Sequence, residues 1–497
     1  MGRKGGLSPI HLSPSWLLTK SLFVAGHQCL KQLWWRVHEP DAVELQPDKV
    51  LQDLFDQGRQ VGEIARRSWP NGTLIARDER AARLDATREA IASGVGVLFE
   101  GAFEADGMFI QADVLEKTSN GGWRLIEVKS SSSAKEEHVP DAGVQAHVLM
   151  RHGIDLDSVH VMHLNKEFRH PDVGDLLQLT AVTDDVRAFA PNVTEIARRQ
   201  LDVLDGPLPA VDIGRHCADP WDCPFTKRCW PDDDWHISSL YNCGPATFPK
   251  YVARGIHRID QLPANEKLQH TQKRQIRALR SGEMVVEPTL AAALEPFNVE
   301  PLGFLDFETI MRAVPVWDDT QPWEQVAAQF SYHESVPGGG YRHEEYLAEG
   351  PNDCRPELAR RLVEATRNAV RVVHYSSFEK TRIRALQQCV PGLARELGEL
   401  EAKLIDLLPV VRNNVYHPKF RGSFSIKDVL PALVPELSYN DLVIVDGRVA
   451  SVEIARLLFV ADRIPAAERD RVRIDLLDYC ERDTWATVRL LEMLRSI

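Results

Sequence analysis

Asp113, Glu127 and Lys129 lie on two consecutive alternating segments, Gln-Ala-Asp-Val-Leu-Glu-Lys (111–117) and Arg-Leu-Ile-Glu-Val-Lys (124–129). Turn-forming residues Thr118 to Gly122 separate them, so a hairpin would set the three side chains close together. Two carboxylates hold a divalent cation through oxygen, and a neighbouring ammonium stabilises charge developing on a phosphate. A Glu-x-Lys pair is also what an ordinary ion pair on a sheet surface looks like. The apolar flanks, and Gln145 on the helix expected next, favour the metal reading.

A second set begins at Asp306 and Glu308, at the exit of the apolar strand Leu302 to Phe307. Tyr479 and Asp483, four apart on the closing helix, share one of its faces. Glu379 adds an acid after the strand Val370 to Tyr375, and Asp406 is a competing one. A lone Asp-x-Glu is equally a solvated strand end; the company of the other residues is what points to a two-metal centre. A third set is Cys217, Cys223 and Cys229, evenly spaced on a Pro-interrupted loop, with Cys29 far upstream. Four thiolates can ligate zinc or a 4Fe–4S cluster, stapling distant segments. Cys243, Cys354, Cys389 and Cys480 stand singly and read as ordinary thiols.

These residues need a scaffold, and 497 residues are enough for two or three domains. Thr19 is expected to cap a helix with Leu22, Ala25, Cys29 and Leu33 on one side, and a second helix to run from Val50 to Arg67. Strands follow from Gly94 to Val128, then a helix from Asp141 to His152 and a strand from Ser158 to Leu164. A second α/β domain starts at Pro301 and closes on a helix from Arg473 to Arg495. Between them, Lys267 to Arg280 carries Lys267, Lys273, Arg274, Arg277 and Arg280 without an acid. That face is either solvated or tracks phosphates. An apolar share of 44% suits a soluble globular protein, and a net charge of -13 argues against a basic coat without excluding a local basic channel. The best apolar run, Ser15 to Gly26, is interrupted by Lys20, and Met1 to Gly6 lacks the Ser or Thr of a myristoylation signal. A cytoplasmic, reducing location without membrane attachment is therefore expected, with cysteines serving metal and not disulfides.

The first 235 residues resemble the RecB-like branch of the PD-(D/E)XK nucleases, particularly the CRISPR-associated RecB-like exonucleases. The resemblance rests on Asp113, Glu127-Val128-Lys129, Gln145 and the cysteines. It implies that Asp113 and Glu127 bind magnesium or manganese, that Lys129 positions or activates water, and that Gln145 sits beside the cleaved phosphate. Glu100 is either an accessory acid or a structural carboxylate. It also implies a 4Fe–4S cluster on Cys29, Cys217, Cys223 and Cys229. The metal-ligating histidine usual on the preceding helix is missing; Glu63 stands in that region.

Residues 300–497 resemble the DEDD exonucleases, with a ribonuclease H-like fold and a final Tyr-x-x-x-Asp motif. By that likeness Asp306, Glu308 and Asp483 hold two metals and Tyr479 orients the water. Glu379 stands where an aspartate is usual, and Lys427, in Gly422 to Leu430, is either a phosphate contact or a surface lysine. The whole arrangement resembles a bacterial family of unassigned function that fuses the two. The expectation is thus an α/β protein in three parts: a restriction-endonuclease-like domain with an iron–sulfur staple at 1–235, a helical connector at 236–299, and a ribonuclease H-like domain at 300–497. Its expected activity is metal-dependent hydrolysis of nucleic acid, DNA before RNA, trimming ends with a second 3′-to-5′ site. The alternatives are a nucleic-acid-binding protein with one degenerate domain, and a redox-responsive regulator.

Overall fold

The computed structural model describes residues 16–497; Met1 to Gly6, and Ser15 at the head of the apolar run, lie outside them. The chain is mixed α/β and its described residues divide into two compact units, one of residues 16–230 with 313–315 and 321–323, the other of the remainder. Residues 236–299 thus belong to the second unit.

In the first unit Leu18–Thr19 (β1) leads into Lys20–Gln28 (α1), Leu30–His38 (α2) and Lys49–Arg66 (α3). Thr19 caps α1 by accepting the Leu22 N–H at 3.3 Å, as its hydroxyl permits. The helix expected to run through Cys29 breaks there, where Cys29 is extended. Thr73–Leu74 (β2), Arg80–Ala92 (α4), Val97–Ala105 (β3), Met108–Lys117 (β4), Trp123–Lys129 (β5), His138–Arg151 (α5), Leu156–Leu164 (β6) and Leu177–Ala181 (β7) follow. The sheet order is β2-β3-β4-β5-β6-β7; β3, β4 and β5 are antiparallel neighbours and β6 lies parallel to β5. Leu98, Phe103, Ile110, Leu125 and α5 residues form the larger core, and Phe99, Val114, Ile126 and Met162 a smaller one. Strand alternation assigns the two clusters to opposite faces.

Alternation slips between β3 and β4. Ala112 is in the larger cluster and Val114, two residues on, in the smaller. Likewise Leu98 and Phe103, five apart, share a cluster. Phe99 pairs with Val114 and Gly101 with Ala112, leaving Glu100 and Asp113 between them unregistered. Glu100 takes φ 57°, a left-handed conformation uncommon for a side-chain-bearing residue.

The second unit contains His270–Ser281 (α6), then Leu302–Ile310 (β8), Val326–Ser335 (β9), Tyr341–Leu347 (β10), Arg355–Thr366 (α7), Arg371–His374 (β11), Phe378–Cys389 (α8), Leu404–Asp406 (β12), Ile426–Leu433 (α9), Gly447–Phe459 (α10) and Ala466–Arg495 (α11). The sheet order is β10-β9-β8-β11-β12. β9 is antiparallel to both its neighbours, whereas β11 is parallel to β8 and β12. Leu302, Phe304 and Ile310 pack with α10 and α11; Leu305 and Phe307 pack with α7 and α8. Asp306 and Glu308 occupy the alternate positions that face α10 and α11. No helix of the described residues is long and apolar enough to cross a membrane.

Candidate functional site

In the first unit β4, β5 and α5 bring Asp113, Glu127, Lys129 and Gln145 together. The Asp113 carboxylate accepts the Val128 N–H at 2.8 Å. Glu127, 1% exposed, accepts Lys129 Nζ at 2.8 Å on one oxygen and Gln145 Nε2 at 2.7 Å on the other. Two residues that sequence reasoning passed over complete the centre. Lys20, at the start of α1, places Nζ 2.7 Å from Glu127 Oε1, 3.6 Å from Asp141 and 3.8 Å from Asp113. Asp141 also binds Lys129, at 2.5 Å. Its position four residues before Gln145 on α5 was the available signal. Lys20 is separated from Glu127 by 107 residues, and no local pattern announces that contact.

Charge balance explains the titration of this group. Burial would raise Glu127, but the ammoniums of Lys129 and Lys20 hold it well below the usual range. Desolvation and the facing Glu127 push half-buried Asp113 up to about 7 despite Lys20 and Lys129. Burial works against both lysines, yet the carboxylates keep Lys20 and Lys129 above the ordinary lysine value. Asp113 and Lys129 open onto a 480 Å³ cleft also lined by Glu63, Arg66 and Glu100. Arg66 stands 3.9 Å from Glu100. A cation can use Asp113 and Glu127 here, but Lys20 Nζ already neutralises the oxygens it would take.

The cysteine loop reaches the same unit's N-terminal helices. Gln28 Nε2 donates to the carbonyls of His216 and Trp221 at 2.8 and 2.6 Å, and Arg228 pairs with Glu39 and Glu44. Burial pushes the Cys223 thiol up to about 11, with Cys29, Cys217 and Cys229 close enough to add to it. No three of these sulfurs have drawn within 4.8 Å of one another; a tetrahedral zinc would require further closure.

In the second unit, oxygens of Asp306, Glu308 and Asp483 all lie within 4.8 Å of one another. Burial and the facing Asp483 hold Asp306 and Glu308 well above the carboxylate range. Burial also raises Asp483, against the pull of Tyr439, Lys427 and Tyr479. Tyr439 donates to Asp483 at 2.5 Å. Lys427 Nζ donates to Tyr479 Oη at 3.1 Å and to the Val445 carbonyl at 2.6 Å, and lies over both tyrosine rings. Burial beside the acids keeps the Tyr479 phenol protonated. Lys427 is delivered by the turn at Gly422, whose φ is +81° and where a Cβ would meet the Ser239 carbonyl oxygen at 2.2 Å; only glycine fits.

Glu379 is buried on α8 outside the acidic trio, its Oε2 3.3 Å from His374 Nδ1. It is near enough to raise Asp306 further. Asp406 is committed to backbone, accepting the N–H groups of Ser376 and Leu408 at 3.1 and 2.9 Å. Within the basic stretch Arg274 is buried against Glu287 and the carbonyls of Arg412 and Asn413, and Arg277 also binds Glu287. Arg274 thus serves the fold, while Arg277, like Lys273 and Arg280, is exposed.

A family model described as a domain of unknown function (DUF2779) matches residues 303–425. That span includes Asp306, Glu308 and Glu379 and stops before Lys427, Tyr479 and Asp483. No curated protein matches the chain. A solved structure titled "Crystal structure of SSO0001" is similar over 44% of this chain and 88% of its own, at 11% identity and a TM-score of 0.24; at that level the likeness carries no argument.

Proposed function

We propose that the chain is a metal-dependent nuclease with its principal centre at Asp306, Glu308 and Asp483. The observation that carries this reading is the mutual approach of three carboxylates, Glu308 buried and Asp306 and Asp483 half-buried, whose repulsion only partly meets a compensating cation, Lys427. Three such groups are costly to hold this close and away from bulk water unless a cation joins them. Magnesium or manganese held there would activate water and stabilise the leaving oxygen. Tyr479, held protonated and fixed by Lys427, orients the nucleophile by hydrogen bonding, and Lys427 offsets phosphate charge at the rim. The strand order, with β8 central, three strands antiparallel and β11 and β12 parallel to it, supports the ribonuclease H-like, DEDD-type assignment.

Asp113, Glu127, Lys129 and Gln145 support the RecB-like PD-(D/E)XK reading of the first unit, with Cys29, Cys217, Cys223 and Cys229 as the candidate ligands of a 4Fe–4S staple. Its lysine-neutralised acids also favour a second reading, in which this unit grips nucleic acid without cutting it. The deciding experiment incubates end-labelled single- and double-stranded DNA and RNA with wild type, Glu127→Ala and Asp306→Ala in magnesium or manganese. Loss of cleavage in Asp306→Ala alone fits the binding role for the first unit. Unchanged cleavage in both variants, or none in wild type, overturns the nuclease reading.

A further inference from the structure

His333 on β9 and His343 on β10 are direct cross-strand partners, with rings stacked at 4.5 Å. Glu481 approaches both from α11, its Oε1 4.0 Å from His333 Nε2 and 3.8 Å from His343 Nδ1. All three ligand atoms lie within 4.8 Å of one another. From these positions we propose a second, independent metal site that takes one zinc-class divalent transition ion on His333, His343 and Glu481.

Hydroxyls stand behind the far nitrogen of each ring: His333 Nδ1 lies 2.9 Å from Thr484 Oγ1 and His343 Nε2 lies 3.0 Å from Ser331 Oγ, the two hydroxyls being 2.7 Å apart. With those far nitrogens as donors, His333 Nε2 and His343 Nδ1 turn lone pairs toward the Glu481 carboxylate, the tautomers a divalent cation requires. A hydrogen-bond partner on the far nitrogen is the usual support of a histidine metal ligand, and Ser331, Thr484 and His333 are buried.

Two imidazoles and one carboxylate suit zinc, whose arms of about 2.0–2.1 Å place neighbouring ligands about 3.3 Å apart in a tetrahedron. Glu481, half exposed, can close the remaining distance. The fourth position faces outward and accepts water; Glu345 shares the His343 face of β10. Such an ion would clamp the β9–β10 hairpin to α11 two residues from Asp483. The proposal does not depend on the nuclease reading.

Chelator-treated full-length protein titrated with cobalt(II) tests it. Asp306→Asn/Glu308→Gln should take up an equivalent with ligand-field bands of nitrogen and oxygen ligation, distinct from the sulfur-to-metal absorption of a thiolate site and displaced by zinc, and wild type should show the same bands among its bound cobalt. His343→Ala and the surface variant Glu481→Gln should bind that equivalent about tenfold or more weakly, with unchanged circular dichroism. Should His343→Ala misfold, Glu481→Gln alone decides. Zinc should raise the unfolding temperature of Asp306→Asn/Glu308→Gln and lose that effect once Glu481→Gln is added. Cobalt uptake unaltered by Glu481→Gln, or absent from wild type, overturns the site.

Discussion

Replacing Asp306 by Asn should stabilise the metal-free protein while abolishing its response to magnesium. At 4.8 Å and an effective dielectric near 20, one pair of like charges costs about 3.5 kcal/mol. Asp306 faces both Asp483 and Glu308, and the protein escapes part of that cost by holding a proton, as its raised titration records. Below the ordinary carboxylate range the folded and unfolded chains are both protonated, and the group costs nothing. As pH rises the unfolded chain releases its proton first, so native stability falls by about 1.4 kcal/mol per unit until the folded group also ionises. Asn removes that penalty and keeps the shape. In chelator at pH 8 the variant should therefore gain about 2–4 kcal/mol, at roughly 2–4 °C in Tm per kcal/mol for a unit of this size. The gain should vanish near pH 4. Wild type, by contrast, should gain about 2.7 kcal/mol when magnesium reaches a hundredfold excess over its Kd. Urea unfolding with and without chelator reads both quantities. A variant less stable than wild type in chelator at pH 8, or one that magnesium stabilises equally, refutes the reasoning.

Lys20→Met in an Asp306→Asn background should tighten manganese binding at the first centre by about tenfold or more, read by electron paramagnetic resonance, because one ammonium leaves three carboxylates. Glu379→Gln should keep cleavage within about fivefold of wild type, whereas Glu308→Gln should lose about a hundredfold or more, since only the latter belongs to the close trio. Burial pushes His138 and His333 down to about 4, so the unfolded chain binds their protons first on acidification. Relative to His138→Gln and His333→Gln, wild type should lose about 1–2 kcal/mol between pH 6.5 and 4 after allowance for solvent screening, measured by urea unfolding of each pair in chelator; a difference that does not change with pH contradicts this.

The parts legible in the sequence were those set by short-range periodicity. Alternation brings Asp306 and Glu308 to one face of β8, helical spacing aligns Tyr479 with Asp483, and the hairpin places Asp113 beside Glu127. What escaped was set by contacts across many residues. Lys20 looked like an interruption of an apolar run, yet it is the cation between Glu127 and Asp141. Tyr439 sits outside any helix or strand and reaches Asp483 by tertiary packing, which no local pattern encodes. His333 and His343 become neighbours only through cross-strand register. The basic run at 267–280 is a largely solvated face, with Lys267, Lys273, Arg277 and Arg280 exposed; that Arg274 alone is buried among them was not legible, because charge along a sequence does not reveal which arginine the fold buries.

The slip at Glu100 and Asp113 bears on how this hairpin can change over evolutionary time. If both residues are struck out, Phe99 is followed by Gly101 and Ala112 by Val114, and strict alternation then places every neighbouring apolar side chain in the cluster where it is found. The acidic pair therefore behaves as a cross-strand insertion into an otherwise regular ribbon. Losing both together would preserve the sheet's two faces and erase the chemistry. Losing either alone would turn one strand's apolar residues inside out, so the two positions are expected to come and go as a couple.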